Sequence, residues 1–345
     1  MTRRDLIGLL VTLGLVAIAA FSHFALGDVT TFVIAAVALA ALARLVGSAT
    51  EQLGARLGTG GAGVVQSALG NLPELFVALF ALNQGLVSVV QSALVGSILA
   101  NSVLVLGLAF LVGGLKNGMQ TFSSKRTRMV STLTLLAAAT MAMPSLAHTF
   151  HAPAAAHSNT LSLICAGVLL VVFFCTLPFF LGSTEGEEHS PPRWSVTTTT
   201  VVLSVAAIGA ALVSDWFVTA LTPAIHTLHM SEEFAGLVIV AIAGNAVENV
   251  VGVQMAARNQ PDFAISVIVN SSLQVALALT PVLVFLSLLF STHLTLVFAP
   301  LLALVLVIAA ILGAFVVNDG ESTWHEGVVL IGFYVVIAAS FWWGI

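Results

Sequence analysis

Charge is what this sequence has least of. Lys, Arg, Asp and Glu make up 7% of its 345 residues while 59% are hydrophobic, against about 25% charged residues in an ordinary soluble domain. That shortage excludes a water-soluble globular fold, because no packing hides so much apolar surface from water. Cysteine is scarce as well. Cys165 and Cys175 share one apolar segment, and their spacing along a helix is about 15 Å, too far for a disulfide. Both read as packing residues and say nothing of the redox compartment. The sequence also lacks a phosphate-binding glycine loop, a nucleophile elbow and an ATP-binding domain, which points to ion gradients as the only energy source. No cofactor and no nucleic-acid partner is expected.

What is present is a series of apolar runs about 20 residues long without strand-like alternation, the mark of an all-α integral membrane protein in a lipid bilayer. The first run follows "MTRRD" but offers no small-residue cleavage site, so it reads as a retained helix. Breakpoints at Gly, Pro and polar clusters predict eleven spans: 5–26, 29–48, 60–83, 87–114, 127–147, 159–182, 195–222, 232–257, 263–290, 294–317 and 325–344. The ten basic residues test that count. Arg3 and Arg4 precede span one, Arg44 and Arg56 flank the loop after span two, and Lys116, Lys125, Arg126 and Arg128 follow span four. Arg193 follows span six and Arg258 follows span eight. All ten fall on one face, which the positive-inside rule makes cytoplasmic. A multi-pass protein of the cell membrane results, with its N-terminus inside and its C-terminus outside. The acidic stretches "STEGEEHS" (183–190) and "NDGESTWHEG" (318–327) land on the same cytoplasmic face, either as solvated loops or as a negative surface that gathers cations at a pore mouth.

One segment breaks the apolar pattern. "GNLPELFVALFAL" (70–82) carries Glu74 in mid-span with no Lys or Arg near it, and "GNAVENVVGVQM" (244–255) repeats the Gly-Asn-x-x-Glu skeleton. The two start 174 residues apart, and "GSILAN" (96–101) stands at the same offset from "NSSLQV" (270–275). Two motifs at one offset argue for duplication. The chain then divides into an extra first helix (1–28), a first five-helix repeat (29–182), an acidic cytoplasmic linker (183–194) and a second repeat (195–345). Five is odd, so the copies insert in opposite orientations, as in secondary transporters.

Chemistry follows from the spacing. Asn71 and Glu74, like Asn245 and Glu248, lie three residues apart and share a helical face. Gly70 and Gly244 loosen the helix, and Pro73 withholds a backbone donor, so carbonyls are freed as ligands. An ionised carboxylate at this depth costs at least about 2.5–3.5 kcal/mol, and with no fixed basic partner its compensating charge must be mobile, a proton or a metal cation. With Ser97, Asn101, Ser271 and Gln274 the two acids make an oxygen-only site that suits Ca²⁺ better than Mg²⁺ or a soft metal. Burial and like charge favour the protonated form of any carboxylate, so protons compete for the same oxygens. Exchange of one dication for protons is antiport.

These residues carry a family resemblance. "SALGNLPELFVALFAL", "VVQSALVGSILANSVLVLG", "GNAVEN", "NSSLQVALALTPVLVFLS" and "DGESTWHEG" resemble the cation/proton exchangers of the Ca²⁺/cation antiporter superfamily over roughly residues 35–345. The resemblance implies two five-helix repeats after an extra helix, an acidic linker, and calcium export driven by protons. It places the family's essential glutamates on Glu74 and Glu248 and its motif asparagines on Asn71 and Asn245. Leu72-Pro73 and Asn249 depart from the family pattern, where a small residue with threonine and a histidine are usual.

Other residues with polar or aromatic side chains stand apart from these motifs. His148, His151 and His157 sit in an Ala/Pro/Ser loop without a metal-ligand frame, so a solvated loop is the expectation. His226 and His229, one turn apart, can modulate through protonation. Asp215 can order its helix or relay protons. Glu51 and Gln52 read as helix-end residues, and Trp342-Trp343 as an interfacial anchor. A homo-oligomer is compatible with the sequence. Two rivals use the same scaffold: a Na⁺-driven Ca²⁺ exchanger and a Na⁺(K⁺)/H⁺ antiporter. A third, an intramembrane metal-dependent hydrolase, wants water-activating His or Asp beside the acids, and none is there. The charge distribution predicts that a reporter at the C-terminus faces away from the cytoplasm and one inserted at 183–193 faces it. A cytoplasmic C-terminus means the span count is wrong by one.

Overall fold

The computed structural model describes residues 3–56, 69–182 and 193–344. The acidic stretch 183–190 and the start of the span 60–83 lie outside the described residues. The described chain is nearly all helical. Its helices are α1 (Arg3–Ala25), α2 (Asp28–Gly54), α3 (Leu72–Asn83), α4 (Val87–Asn117), α5 (Ser124–Thr149) and α6 (Ser158–Gly182), then α7 (Val196–Leu228), α8 (Glu232–Gly244), α9 (Ala246–Ala257), α10 (Pro261–Ser287), α11 (Pro300–Val316) and α12 (Trp324–Trp342). Among the described residues eight helices are long and apolar enough to cross a membrane, nine if the pair α8 and α9, bent by 62°, counts as one; α3 and α11 are apolar but shorter. The exception to all-α is a two-residue antiparallel pair, β1 (Gln120–Thr121) with β2 (Glu321–Ser322), too short to leave a period in the sequence.

The chain forms two compact units. Unit one comprises residues 1–81 and 171–229. Its centre is the long crossing of α2 and α7, where Phe32 stacks on Phe217 with ring centroids 5.0 Å apart. At one end of α2, Leu45, Val46 and Ala49 pack with Trp194, Val202 and Ala206. There the Arg56 guanidinium donates to the Trp194 carbonyl, and the Arg193 N–H donates to Gln52 Oε1 at 2.7 Å. Gln52 therefore closes a helix end. Glu51 beside it is exposed.

Unit two comprises residues 82–170 and 230–345. Its α4 and α8 approach until backbones touch. A Cβ on Gly96 would fall 2.3 Å from the Leu237 carbonyl oxygen, and one on Gly236 would fall 2.4 Å from that of Val89. Small residues at a crossing are how membrane helices gain packing where lipid offers no hydrophobic drive. The loops of this unit sort into two hydrogen-bonded groups. One joins the segments after α4, α9 and α11: β1 pairs with β2, the Ser123 N–H donates to Asp262, Gln120 donates to the Ala256 carbonyl and Arg128 to that of Asn318. The other joins the segments at the start of α4, the end of α5 and the start of α6 to the stretch before α11.

Several elements differ from the expected spans. The span 294–317 begins as a helix only at Pro300, because Leu294–Phe298 finds partners without coiling. Gln91 donates to the Thr295 and Val297 carbonyls, Ser145 donates to that of Leu296 and accepts from the Phe298 N–H, and Ser162 accepts from the Leu296 N–H. The span 195–222 continues to Leu228 with Pro223 inside it, since in a bilayer continuing the helix satisfies more backbone than stopping at the proline. The span 232–257 is broken at Asn245. Trp342 packs edge-on against Phe234, centroids 4.7 Å apart, and Trp343 alone stays exposed.

The 174-residue offset recurs in the elements themselves. α3 and α9 begin at Leu72 and Ala246 and end at Asn83 and Ala257; α2 and α7 end at Gly54 and Leu228. α4 widens into a π-segment at Ala100–Val105 and α10 does so at Val275–Leu279, their ends again 174 residues apart.

The α4–α8 contact predicts that Gly96→Ala drives a methyl into a backbone carbonyl and destabilises the fold by at least about 1–3 kcal/mol. Gly8→Ala, which would meet nothing within 4 Å, serves as the control. Equal melting midpoints for the two variants in detergent refute the close approach.

Candidate functional site

Each half of the motif is built where a helix starts anew. In unit one, Gly70 and Asn71 are turn residues and α3 begins at Leu72. Pro73 sits in its first turn, where a missing N–H costs nothing. The Asn71 carbonyl accepts from the Leu75 N–H at 2.9 Å, and the side chains of Asn71 and Glu74 are buried, 9% and 8% exposed. In unit two, α8 ends at Gly244, Asn245 takes φ −90° and ψ 21°, and α9 begins at Ala246. The Asn245 carbonyl accepts from the Asn249 N–H at 3.0 Å, the counterpart of the bond at Asn71. Both acids fall in the first turn of their helices. Unpaired N–H groups and the positive end of the helix dipole support an anion at that position.

The asparagine of unit two does not cap its helix with its side chain. Asn245 Nδ2 reaches back to the Ala241 carbonyl at 2.8 Å and across to Ser97 Oγ at 3.0 Å, while its Oδ1 accepts from Asn101 Nδ2 at 2.7 Å. Asn101 Nδ2 also donates to Ser271 Oγ at 3.1 Å. Four of the expected ligands, Ser97, Asn101, Asn245 and Ser271, thus form one hydrogen-bonded group linking α4, the α8–α9 break and α10. All are at most 5% exposed. The amide hydrogens point at protein, and the carbonyl oxygen of Asn101 has no donor among the described residues. An amide oxygen left over in a dry interior, beside hydroxyl oxygens, is a ready ligand for a hard cation.

Not every expected residue joins. Gln274, in the last turn before the π-segment of α10, and Glu248 are half-buried and lie outside the group of four. Asp215 is half-buried on α7 in unit one, as Asn71 and Glu74 belong to that unit. His148, His151 and His157 are exposed, as are His226 and His229. Among the described residues no three His, Cys, Asp or Glu side chains come close enough to hold a metal between them. Two groups escaped the sequence reading of the site: Asn249 Oδ1 and Asn270 Oδ1 are buried without a donor among the described residues. Their signal was present, since Asn249 follows Glu248 directly and Asn270 heads "NSSLQV".

The hydrogen-bonded group predicts that Asn245→Ala, which removes the acceptor of one Asn101 amide hydrogen and the donor to Ser97 Oγ, costs about 1–3 kcal/mol of stability. The unfolding midpoint in detergent measures it, and an unchanged midpoint means the group does not form.

The geometry has close counterparts. The profile of the sodium/calcium exchanger protein family matches residues 28–182 and 198–343. The Ca(2+)/H(+) antiporter ChaA of Bacillus subtilis is 35% identical over 320 residues, covering 90% of this chain and 91% of that protein. The vacuolar calcium ion transporter of Schizosaccharomyces pombe is 31% identical over 91% of this chain and 79% of its own length. Among solved structures, native YfkE superposes with a TM-score of 0.83 at 32% identity, covering 98% of this chain and 99% of that one. With the family profile spanning both halves and such identity along nearly the whole length, this chain belongs to the sodium/calcium exchanger protein family.

Proposed function

We propose that this protein is a secondary antiporter that exchanges cytosolic Ca²⁺ for external H⁺ by alternating access at a mid-membrane site to which both Glu74 and Glu248 contribute. The observation that carries the reading is the matched pair of helix starts, each placing an acid in the first turn after a motif asparagine. Relatives that are named calcium/proton antiporters over nine-tenths of the chain support it. No residue is assigned a catalytic role, since those relatives are transporters. Eight helices among the described residues, or nine if α8 and α9 form one span, are long and apolar enough to cross a membrane; we read α3 and α11 as further spans, for an extra helix and two inverted five-helix repeats. The two sorted groups of loops in unit two match the alternation that puts the basic residues inside and the C-terminus outside. The vacuolar relative marks the cell membrane as a proposal for this chain.

In this reading Ca²⁺ is the cargo. Two carboxylates neutralise its charge, and the amide and hydroxyl oxygens of Asn71, Asn245, Ser97, Asn101, Ser271 and Gln274 complete its shell, which for Ca²⁺ takes about 6–8 oxygens in flexible geometry. No Lys or Arg occurs in 69–83 or 241–257, so the empty acids must take up protons before the site reorients. Two protons for one Ca²⁺ move no net charge. Asp215 can add a third proton by relay.

The family name includes sodium, and Na⁺ also takes oxygen ligands, so the test compares the two drives. In everted vesicles an inside-acid gradient drives calcium inward with no sodium present, and Glu74→Gln or Glu248→Gln abolishes that flux while the protein still inserts and folds. Calcium affinity falls as pH falls, because protons occupy the same carboxylate oxygens. Uptake that needs a sodium gradient and ignores the proton gradient replaces this reading with sodium-driven exchange. Near-normal flux in either glutamine variant removes that glutamate from the site.

A further inference from the structure

Unit two contains a second polar locus that the proposed cation site does not use. A small cavity of about 10 Å³ lies among α4, α5, α10 and α11, and its polar wall is Ser102, Ser131, Thr134 and Ser272. All four side chains are at most 7% exposed. Ser102 and Ser272 directly follow Asn101 and Ser271 in the chain. Successive helical residues point about 100° apart, so the cavity occupies the neighbouring face of the same two helices.

The hydroxyl hydrogens decide what fits there. Ser102 donates to the Ile98 carbonyl at 2.6 Å, Thr134 to that of Val130 at 3.0 Å, and Ser272 to that of Ile268 at 3.5 Å. Three of the four hydroxyls have thus committed their only hydrogen along their own helix, and they can offer only lone pairs to the cavity. Ser131 Oγ is the exception: it is buried with no partner among the described residues. An occupant must therefore both accept one hydrogen and donate to oxygens. The remaining wall is aliphatic, including Leu106, Val269 and Ala310, with no carboxylate to balance a cation and no acceptor for the Ser131 hydrogen if a cation filled the space. An empty cavity would leave that hydroxyl unsatisfied in the interior.

We propose that this cavity is a permanent hydration site holding one water. The volume is about that of one water and the wall supplies the usual number of partners, about three. The water accepts from Ser131 and donates to two of the oxygens of Ser102, Thr134 and Ser272. It ties α5 to α4 and α10 beside their π-segments, so the helices that carry the Ser97–Asn101–Asn245–Ser271 group are braced from behind by solvent that never leaves.

A structure of the full chain at a resolution that shows ordered water, determined in sodium-free buffer and again with rubidium, tests the occupant. The expected result is one peak within about 2.6–3.2 Å of Ser131 Oγ and at least two of the other hydroxyls in both buffers. An empty cavity, or a peak that appears only with rubidium, overturns the proposal. Thermal unfolding of Ser131→Ala, Ser272→Ala and the double variant tests the bridge. Each single change lowers the melting midpoint by a few degrees, and the double lowers it by less than the sum, because either loss loosens the same water. Additive shifts, or no shift in either single variant, overturn it. Neither arm reads transport, so both outcomes stand apart from the fate of the antiport reading.

Discussion

A helix that stops inside a bilayer strands backbone N–H and C=O groups where no water can reach them, and everything distinctive about this fold follows from how those groups are satisfied. At the break in unit two the Asn245 side chain bonds the Ala241 carbonyl while its own carbonyl receives the Asn249 N–H. One residue therefore stitches both sides of the interruption. The same amide reaches Ser97 and receives Asn101, which makes the break dependent on the neighbouring helix. The interruption is a joint, held open by side chains from outside it.

That dependence requires close approach. Ser97 follows Gly96, the residue whose missing Cβ lets α4 press on the Leu237 backbone. With any larger residue α8 would stand off, and the bonds from Ser97 and Asn101 to Asn245, 3.0 and 2.7 Å long, would not form. The π-segment that begins at Ala100 adds a further adjustment by shifting the register of α4 next to Asn101. Small residues, a π-segment and an amide pair act together here, each setting the geometry that the next one needs.

Charge is rationed to match. The acids of the proposed site stand in the first turns of α3 and α9, where helix N-termini support them, while no Lys or Arg occurs in 69–83 or 241–257. A fixed cation beside Glu74 or Glu248 would neutralise it permanently and leave nothing for a mobile ion to do. Low charge is thus a functional property of this composition as well as a membrane one.

Much of this was legible before any coordinates. Hydropathy and breakpoints located most of the apolar helices but stopped short of the ends of α2 and α7, and the offset between residues 70 and 244 recurs between the ends of α3 and α9. Ser97, Asn101, Asn245 and Ser271 were legible as candidate cation ligands from motif register, since residue type and helical period are local properties. Other features were out of reach. Nothing near Leu294 announces an extended segment, because its partners Gln91, Ser145 and Ser162 lie between 134 and 206 residues from the atoms they bind. Nothing in the sequence separates Gln274 from the four residues that hydrogen-bond to one another, yet packing left it outside that group. The sequence by itself determined the membrane class, the repeated Gly-Asn-x-x-Glu skeleton and the kind of atoms it carries. Tertiary structure alone decided which of those atoms meet, because hydrogen bonds between distant segments depend on how closely helices pack, and no local pattern encodes that.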